Sequence, residues 1–211
     1  TQTNAGQTVH TNTSEFARNV YALPLVQGAL VVDTPTDVTD GDATSISTLL
    51  ANKGADGFIS LREAVIASNN TSGNDTLNLA AGTYTLTIAG AGDDSSATGD
   101  LDIQTNITIA GAGMASTIID GGGIDRVMEV DGSGNLTLAD VRLTGGSINN
   151  DGGGLLVEEV GGIATLTRVD ITGNTISGGG RTGGGIHNVG TLMIGSSLLA
   201  DNTSVSGGSG E

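Results

Sequence analysis

The sequence predicts an all-β chain, a right-handed parallel β-helix (solenoid) with a short N-terminal capping α-helix. Three observations carry this prediction. Leu138, Val141 and Leu143 in LTLADVRLTGG match Leu166, Val169 and Ile171 in ATLTRVDITGN at an offset of 28 residues. Ile194, Leu199 and Asn202 match Leu166, Ile171 and Asn174 at the same offset. Self-similarity at a fixed period is the mark of stacked structural units. The second observation is the pattern within one unit: GGGIHN, GTLMIG and SLLADN each alternate apolar and polar residues, which is a strand period. The third is the punctuation. Gly, Asn and Asp separate these short pieces, and they tolerate the left-handed backbone angles of tight corners. Such pieces suit a chain that winds in one direction and pairs parallel strands between coils, roughly 4.8 Å apart.

The offset also predicts a register. Asp140 falls on Arg168, and Arg142 on Asp170, so opposite charges flank stacked Val141 and Val169. Such pairs contribute roughly 0.2–1 kcal/mol each. Asn174 over Asn202 starts an asparagine ladder. Ser197 falls at the Val169 position and Leu198 at an outward slot, which predicts a one-residue slip in the third coil.

Composition narrows the class. The 211 residues suffice for one domain. Only 2% are aromatic, so the core must be many small aliphatic layers. The 23 acidic residues against 7 basic ones give a net charge of −16. That argues against nucleic acid as a partner, since phosphate recognition needs a basic face. It fits metal cations or an extracellular setting. The absence of cysteine excludes disulfides and thiolate metal sites. No apolar run reaches the roughly 18 residues of a membrane span. The opening TQTNAGQTVHTNTSE is polar and lacks a signal-peptide pattern, so a mature or trimmed form is expected.

Residues 1–32 form an N-terminal arm and strand, with Ala29 to Val32 as the strand. It starts or covers the solenoid; docking on a neighbouring molecule's sheet edge is the alternative. Residues 33–73 form an acidic loop and the capping helix. Asp40 and Asp42, around Gly41, are candidate oxygen donors to Ca²⁺. Their spacing does not follow an EF-hand loop, and a solvated loop is the competing reading. SLREAVIASN (60–69) is the one helix the sequence declares. Ser60 is its N-cap, and Glu63 completes a capping box. Leu61, Ala64, Val65 and Ala67 line an apolar face. The helix would cover the open core and unpaired backbone of the first coil.

Residues 74–211 form the coils, with Leu77, Leu79, Tyr84, Leu86 and Ile88 inward in the first. AGAGDDSSATGD (89–100) is too long and polar for a tight corner and is expected as a loop leaving the body. Loops of this kind carry binding functions on solenoids. Asp93, Asp94 and Asp100, with Asp102 beside them, are a second Ca²⁺ candidate, again against a solvated loop. The closing SVSGGSGE offers no capping element. The chain is therefore expected to be a fragment of a longer protein or to be covered by another molecule, and repeated head-to-tail contact would make a fibre.

ADGFISLREAVIASNN resembles the CSLREA domain, a module at the front of large secreted bacterial and archaeal parallel β-helix proteins. The resemblance continues through NDTLNLAAGTYTLT, TGDLDI, ITIAGAG and TIIDGGGIDRVMEV. It runs into GGGIHNVGTLMI, which is similar to pectin-lyase-like repeats. It covers roughly residues 30–206. Ile59 stands where the family name has Cys, so that position is expected to pack. The resemblance implies an extracellular or cell-surface location. It fixes no activity, since members of the family include adhesin-like proteins.

Enzymatic signals are sparse. β-Helix lyases and epimerases use Asp-bound Ca²⁺ with an Arg or Lys base. The basic residues here are Arg18, Lys53, Arg62, Arg126, Arg142, Arg168 and Arg181. Arg126, near Asp120, Asp125 and Glu129, is the best cluster, and a surface ion pair is its expected role. Glu158 and Glu159 are adjacent, so on a strand they point to opposite faces. His187 and His10 have no visible carboxylate pair. No nucleophile triad, phosphate loop or histidine metal cluster stands out. The expectation is an extracellular structural or adhesive module, self-associating or binding other surface proteins or polysaccharide, with Ca²⁺ as candidate cofactor. The alternative is a carbohydrate-active enzyme: a lyase, epimerase or hydrolase.

Overall fold

The computed structural model describes residues 29–158 and 161–205. Residues 1–28 of the expected N-terminal arm and strand, with His10 and Arg18, lie outside the described residues, as does Glu159. The chain is a parallel β-helix. Its coils are built from three sheets, and every strand pairing is parallel.

The chain opens with β1 (Leu30–Val32), α1 (Ile46–Ala51) and α2 (Leu61–Asn69). The first coils follow as β2 (Asn74–Leu79), β3 (Gly82–Thr85), β4 (Leu101–Ile103), β5 (Asn106–Ala110), β6 (Thr117–Asp120) and β7 (Met128–Val130). The repeating part contains β8 (Asn135–Thr144), β9 (Ser147–Ile148), β10 (Leu155–Val157), β11 (Ile163–Thr172) and β12 (Thr175–Ser177). It ends with β13 (Ile186–Asn188), β14 (Thr191–Gly195), β15 (Leu198–Ala200) and β16 (Thr203–Val205). The first sheet runs β1-β2-β5-β8-β11-β14, with β3, β6 and β15 attached. The second runs β4-β7-β10-β13, and the third β9-β12-β16.

The register follows the repeat. Leu77, Ile109, Leu138, Leu166 and Ile194 stack in one inward column. The first four are fully buried. Burying each such side chain stabilises by roughly 1.5–3 kcal/mol, so the fold rests on these columns. Leu138 and Val141 are three residues apart yet both face inward. The reason is a bend: Asp140, Arg168 and Ser196 sit one offset apart with φ of 59°, 54° and 53°. The left-handed residue inserts an extra step in each strand.

Both expected charge pairs form. Arg168 Nε and Nη2 donate to Asp140 at 2.6 and 2.5 Å, and Arg142 Nη2 donates to Asp170 at 3.2 Å. The asparagine ladder forms too. Asn174 Nδ2 donates to Asn202 Oδ1 at 3.0 Å and to the Leu143 carbonyl at 3.2 Å. The slip expected at Ser197 does not occur, since Asp170 and Ile171 pair in register with Leu198 and Leu199. Ser197 Oγ instead accepts from the Val169 amide at 3.0 Å and fills the ladder across the bend.

A second helix was not legible. α1 has its own capping box, Ser45 with Thr48, which lacks the Glu or Gln that marks α2. In α2 the box is as expected: Ser60 Oγ accepts from the Glu63 amide, and Glu63 Oε2 accepts from the Ser60 amide. Leu61, Ala64, Val65 and Ala67 are buried, and Ile59 is 1% exposed, so it packs. α2 covers the edge of the second sheet. Asn69 Nδ2 donates to the Asp102 carbonyl at 2.7 Å, and its Oδ1 accepts from the Gln104 amide at 3.0 Å. Two backbone groups of an unpaired strand edge are thereby satisfied by one side chain. At the other end of the described coils, Met193, Ile194, Leu198, Leu199 and Val205 are about half exposed. Asp75 breaks the inward pattern with a carboxylate. It shares a column with Ile107 and Leu136 and is 1% exposed. Neither of its carboxylate oxygens has a hydrogen-bond partner among the described residues. Burial raises its pKa.

Candidate functional site

The outward face of the second sheet gathers the acidic side chains. In β4 and β7, Leu101, Ile103, Met128 and Val130 point inward and are fully buried. Strand alternation then turns Asp102 and Glu129 outward, and the register sets them side by side. Leu156 and His187 continue the same column. One step further along the chain come Asp131 and Glu158. Two groups converge: carboxylate oxygens of Asp100, Asp102 and Glu129 lie within 4.8 Å of one another, as do those of Glu129, Asp131 and Glu158.

The loop 89–100 does not leave the body; it folds back over this face. Asp93 anchors it by accepting from Ser95 Oγ, the Ala97 amide and the Thr98 amide. Ser96, in a left-handed conformation, donates its amide to Asp102 Oδ2 at 2.5 Å and accepts from the Asp102 amide through Oγ at 2.7 Å. Gly99 has φ of +67°, and a Cβ there would stand 2.6 Å from Asp125 Oδ2. Only glycine lets the loop close this tightly.

Arg62 of α2 fastens the loop from beneath. It is fully buried, pairs with Asp37 through Nε at 2.7 Å and Nη2 at 3.1 Å, and donates to the carbonyls of Ser96, Gly99 and Asp100. The loop leaves Asp100 3% and Asp102 1% exposed.

Arg126 lies inside this cluster, not on the surface as expected. It is 6% exposed, with Nε 3.0 Å from Asp100 Oδ2 and Nη1 2.6 Å from Glu129 Oε2. These contacts have ion-pair distance without hydrogen-bond alignment, and Asp102 Oδ1 has no hydrogen-bond partner among the described residues. Burial, with added repulsion from Asp102 and Asp125, pushes the Asp100 pKa up to about 8 against the pull of Arg126. Burial pushes Asp102 up to about 7, opposed by the Ser96 amide and helped by Asp131, Glu129 and Asp93. Burial likewise raises Glu129, with Arg126 opposing and Asp100, Glu158 and Asp131 adding to it.

The five sequence candidates separate. Asp100 joins the cluster. Asp93 is spent on its own loop, and the Asp94 carbonyl accepts from Gln104 Nε2. Asp40 accepts from the Ala55 and Asp56 amides, and Asp42 from Thr44 in a short turn. Neither Asp40 nor Asp42 meets a third ligand-type residue among the described residues. The roles of Glu129, Asp131 and Glu158 were not read from the sequence. The signal exists in LDIQ, MEVD and LLVE, where the apolar positions align at 27-residue offsets and leave carboxylates outward. No family model matches the chain, and neither a curated protein nor a solved structure matches it.

The first sheet presents a different outer face. Thr76, Thr108, Thr137 and Thr165 stack in one outward column, and Asn74, Asn106 and Asn135 in the next. A shallow groove of about 170 Å³ lies among Asn74, Asn106, Asn135, Thr108 and Thr137. Among the described residues no helix is long and apolar enough to cross a membrane.

Proposed function

We propose that the protein is an extracellular structural or adhesive β-helix module. The observation that carries this reading is the repeating Asn–Thr face of the first sheet. It repeats hydroxyls and amides at strand spacing, roughly 4.8 Å, over successive coils. A periodic array of weak polar contacts suits a repeating partner such as a polysaccharide, because many small contacts on one rigid body add as avidity. The half-exposed apolar coil of β14 and β15 adds a second mode of contact. It accepts further parallel strands, whether from more of the chain or from a second copy.

The alternative, a carbohydrate-active enzyme, is favoured by one observation: carboxylates converge on the outer face of the second sheet. Hydrolases of this kind need such a pair at the sugar. Asp100 and Asp102 are nearly inaccessible, however, which favours a role inside the fold.

The test is co-sedimentation with a panel of insoluble and acidic polysaccharides, with product analysis on the same samples. The module reading expects binding without cleavage, lost in the double variant Thr108→Lys, Thr137→Lys. Release of sugar fragments that stops in Glu129→Gln would establish the enzyme instead.

A further inference from the structure

We propose that Asp100, Asp102 and Glu129 hold one divalent cation of the Ca²⁺ type, which pins the loop 89–100 to the coils. The site lies away from the Asn–Thr face, and the inference does not depend on the adhesive reading. The first ground is convergence: three carboxylates from one loop end and two neighbouring strands bring oxygens within 4.8 Å of one another.

The second ground is independent of the first. Asp102 is 1% exposed, yet its Oδ1 has no hydrogen-bond partner among the described residues, although Oδ2 is satisfied by the Ser96 amide. Asp100 Oδ2, buried too, meets Arg126 Nε at 3.0 Å without hydrogen-bond alignment. A buried polar group left unsatisfied is costly, and more so when charged. Folded chains keep such groups where a ligand satisfies them.

The third ground is charge. Asp100, Asp102, Glu129, Asp131 and Glu158 converge in two overlapping groups, and among the described residues the cation paired with them is Arg126, at Asp100 and Glu129. Arg126 engages Oδ2 of Asp100 and Oε2 of Glu129, so one positive charge is shared by two carboxylates and is not paired with Asp102.

Donor chemistry selects the ion. The ligands are all carboxylate oxygens, which suits a hard cation. No cysteine is present, and His187 is separated from Glu129 by Leu156 in the column. Zinc-type ligation is thereby disfavoured. Ca²⁺ accepts irregular sets of carboxylates and carbonyls, whereas Mg²⁺ demands near-octahedral geometry and keeps several waters. A site this enclosed favours Ca²⁺. Its physical work is to tie a long loop to two coils and to remove repulsion between stacked acids.

The experiment is isothermal titration of CaCl₂ into the EDTA-stripped, desalted full chain at pH 8, with melting curves in CaCl₂, MgCl₂ and EDTA. One ion per chain is expected, with a melting temperature higher in CaCl₂ than in EDTA or MgCl₂. Asp102→Asn and Glu129→Gln, each near-isosteric and checked for fold by circular dichroism, should weaken binding at least tenfold. Asp42→Asn should leave it unchanged. Absence of binding heat with identical melting in CaCl₂ and EDTA would overturn the site. So would Ca²⁺ binding that survives in whichever of the two cluster variants is folded.

Discussion

The two outer faces of the same coils obey one geometry and meet different fates. Parallel stacking sets like positions above like positions in both. On the first sheet the stacked residues are Thr76, Thr108, Thr137 and Thr165, neutral groups that donate and accept. On the second sheet the stacked pair is Asp102 and Glu129, with Asp131 and Glu158 beside it. Stacked hydroxyls tolerate one another in water. Stacked carboxylates repel, and here a loop also strips their water. A solenoid therefore carries neutral ladders at no special cost, while an acidic ladder must be answered by a proton, an arginine or a metal ion. Arg126 answers part of it. The Asp140–Arg168 and Arg142–Asp170 pairs show a third solution, alternation of sign between coils.

The largest effect should come from removing what holds the cover on the acidic face. Arg62→Met leaves Asp37 buried without its partner and frees three loop carbonyls. Breaking a buried pair this way costs about 3–5 kcal/mol, readable as a lower urea midpoint.

The next test sets pH against the acidic face in metal-free protein. The groups facing one another are Asp93, Asp94, Asp100, Asp102, Asp125, Arg126, Glu129, Asp131 and Glu158. Asp100 and Asp102 titrate near 8 and 7 in the folded chain, and Glu129 is also raised. Unfolded carboxylates titrate near pH 4. Between these values the folded chain holds more protons, so stability is full below about pH 4 and is lost as pH rises toward 8. The slope is up to about 1.4 kcal/mol per pH unit for each group. Melting in EDTA should fall from pH 5 to pH 8, and Asp102→Asn should flatten the curve.

Asp75 isolates the cost of a lone buried carboxyl from that of a stacked set. Asp75→Leu removes two unsatisfied buried oxygens from an aliphatic column. It should stabilise at neutral pH by about 1–3 kcal/mol, seen as a raised melting temperature. The smallest effect comes from building the acidic problem on the neutral face. Thr108→Glu with Thr137→Glu stacks like charges in half-exposed positions. It should cost about 0.2–1 kcal/mol, and the loss should shrink in high salt.

Most of the fold was written in the sequence because a repeat states its own register. The 28-residue offset yielded the inward columns, both charge pairs and the Asn174–Asn202 contact. The capping box gave α2. The slip at Ser197 was wrongly expected because its hydroxyl replaces a backbone partner at the bend, which no hydropathy pattern encodes. α1 was missed because Thr48 fills a capping role usually marked by Glu or Gln.

The site was only partly legible. Asp100 and Asp102 stood out as acidic residues near a loop. Their partner Glu129 is distant in sequence and had been linked only to Arg126. Whether loop 89–100 leaves the body or folds back depends on Arg62, a contact across 34 to 38 residues. Local pattern carries no trace of it.

The most direct test of the account is a crystal structure of the full chain grown in CaCl₂, with anomalous data collected to locate calcium. The account predicts one peak at coordinating distance, about 2.3–2.6 Å, from carboxylates of Asp100, Asp102 and Glu129, under an ordered loop 89–100. A cluster without a peak, its oxygens satisfied by Arg126 and shared protons alone, would contradict it.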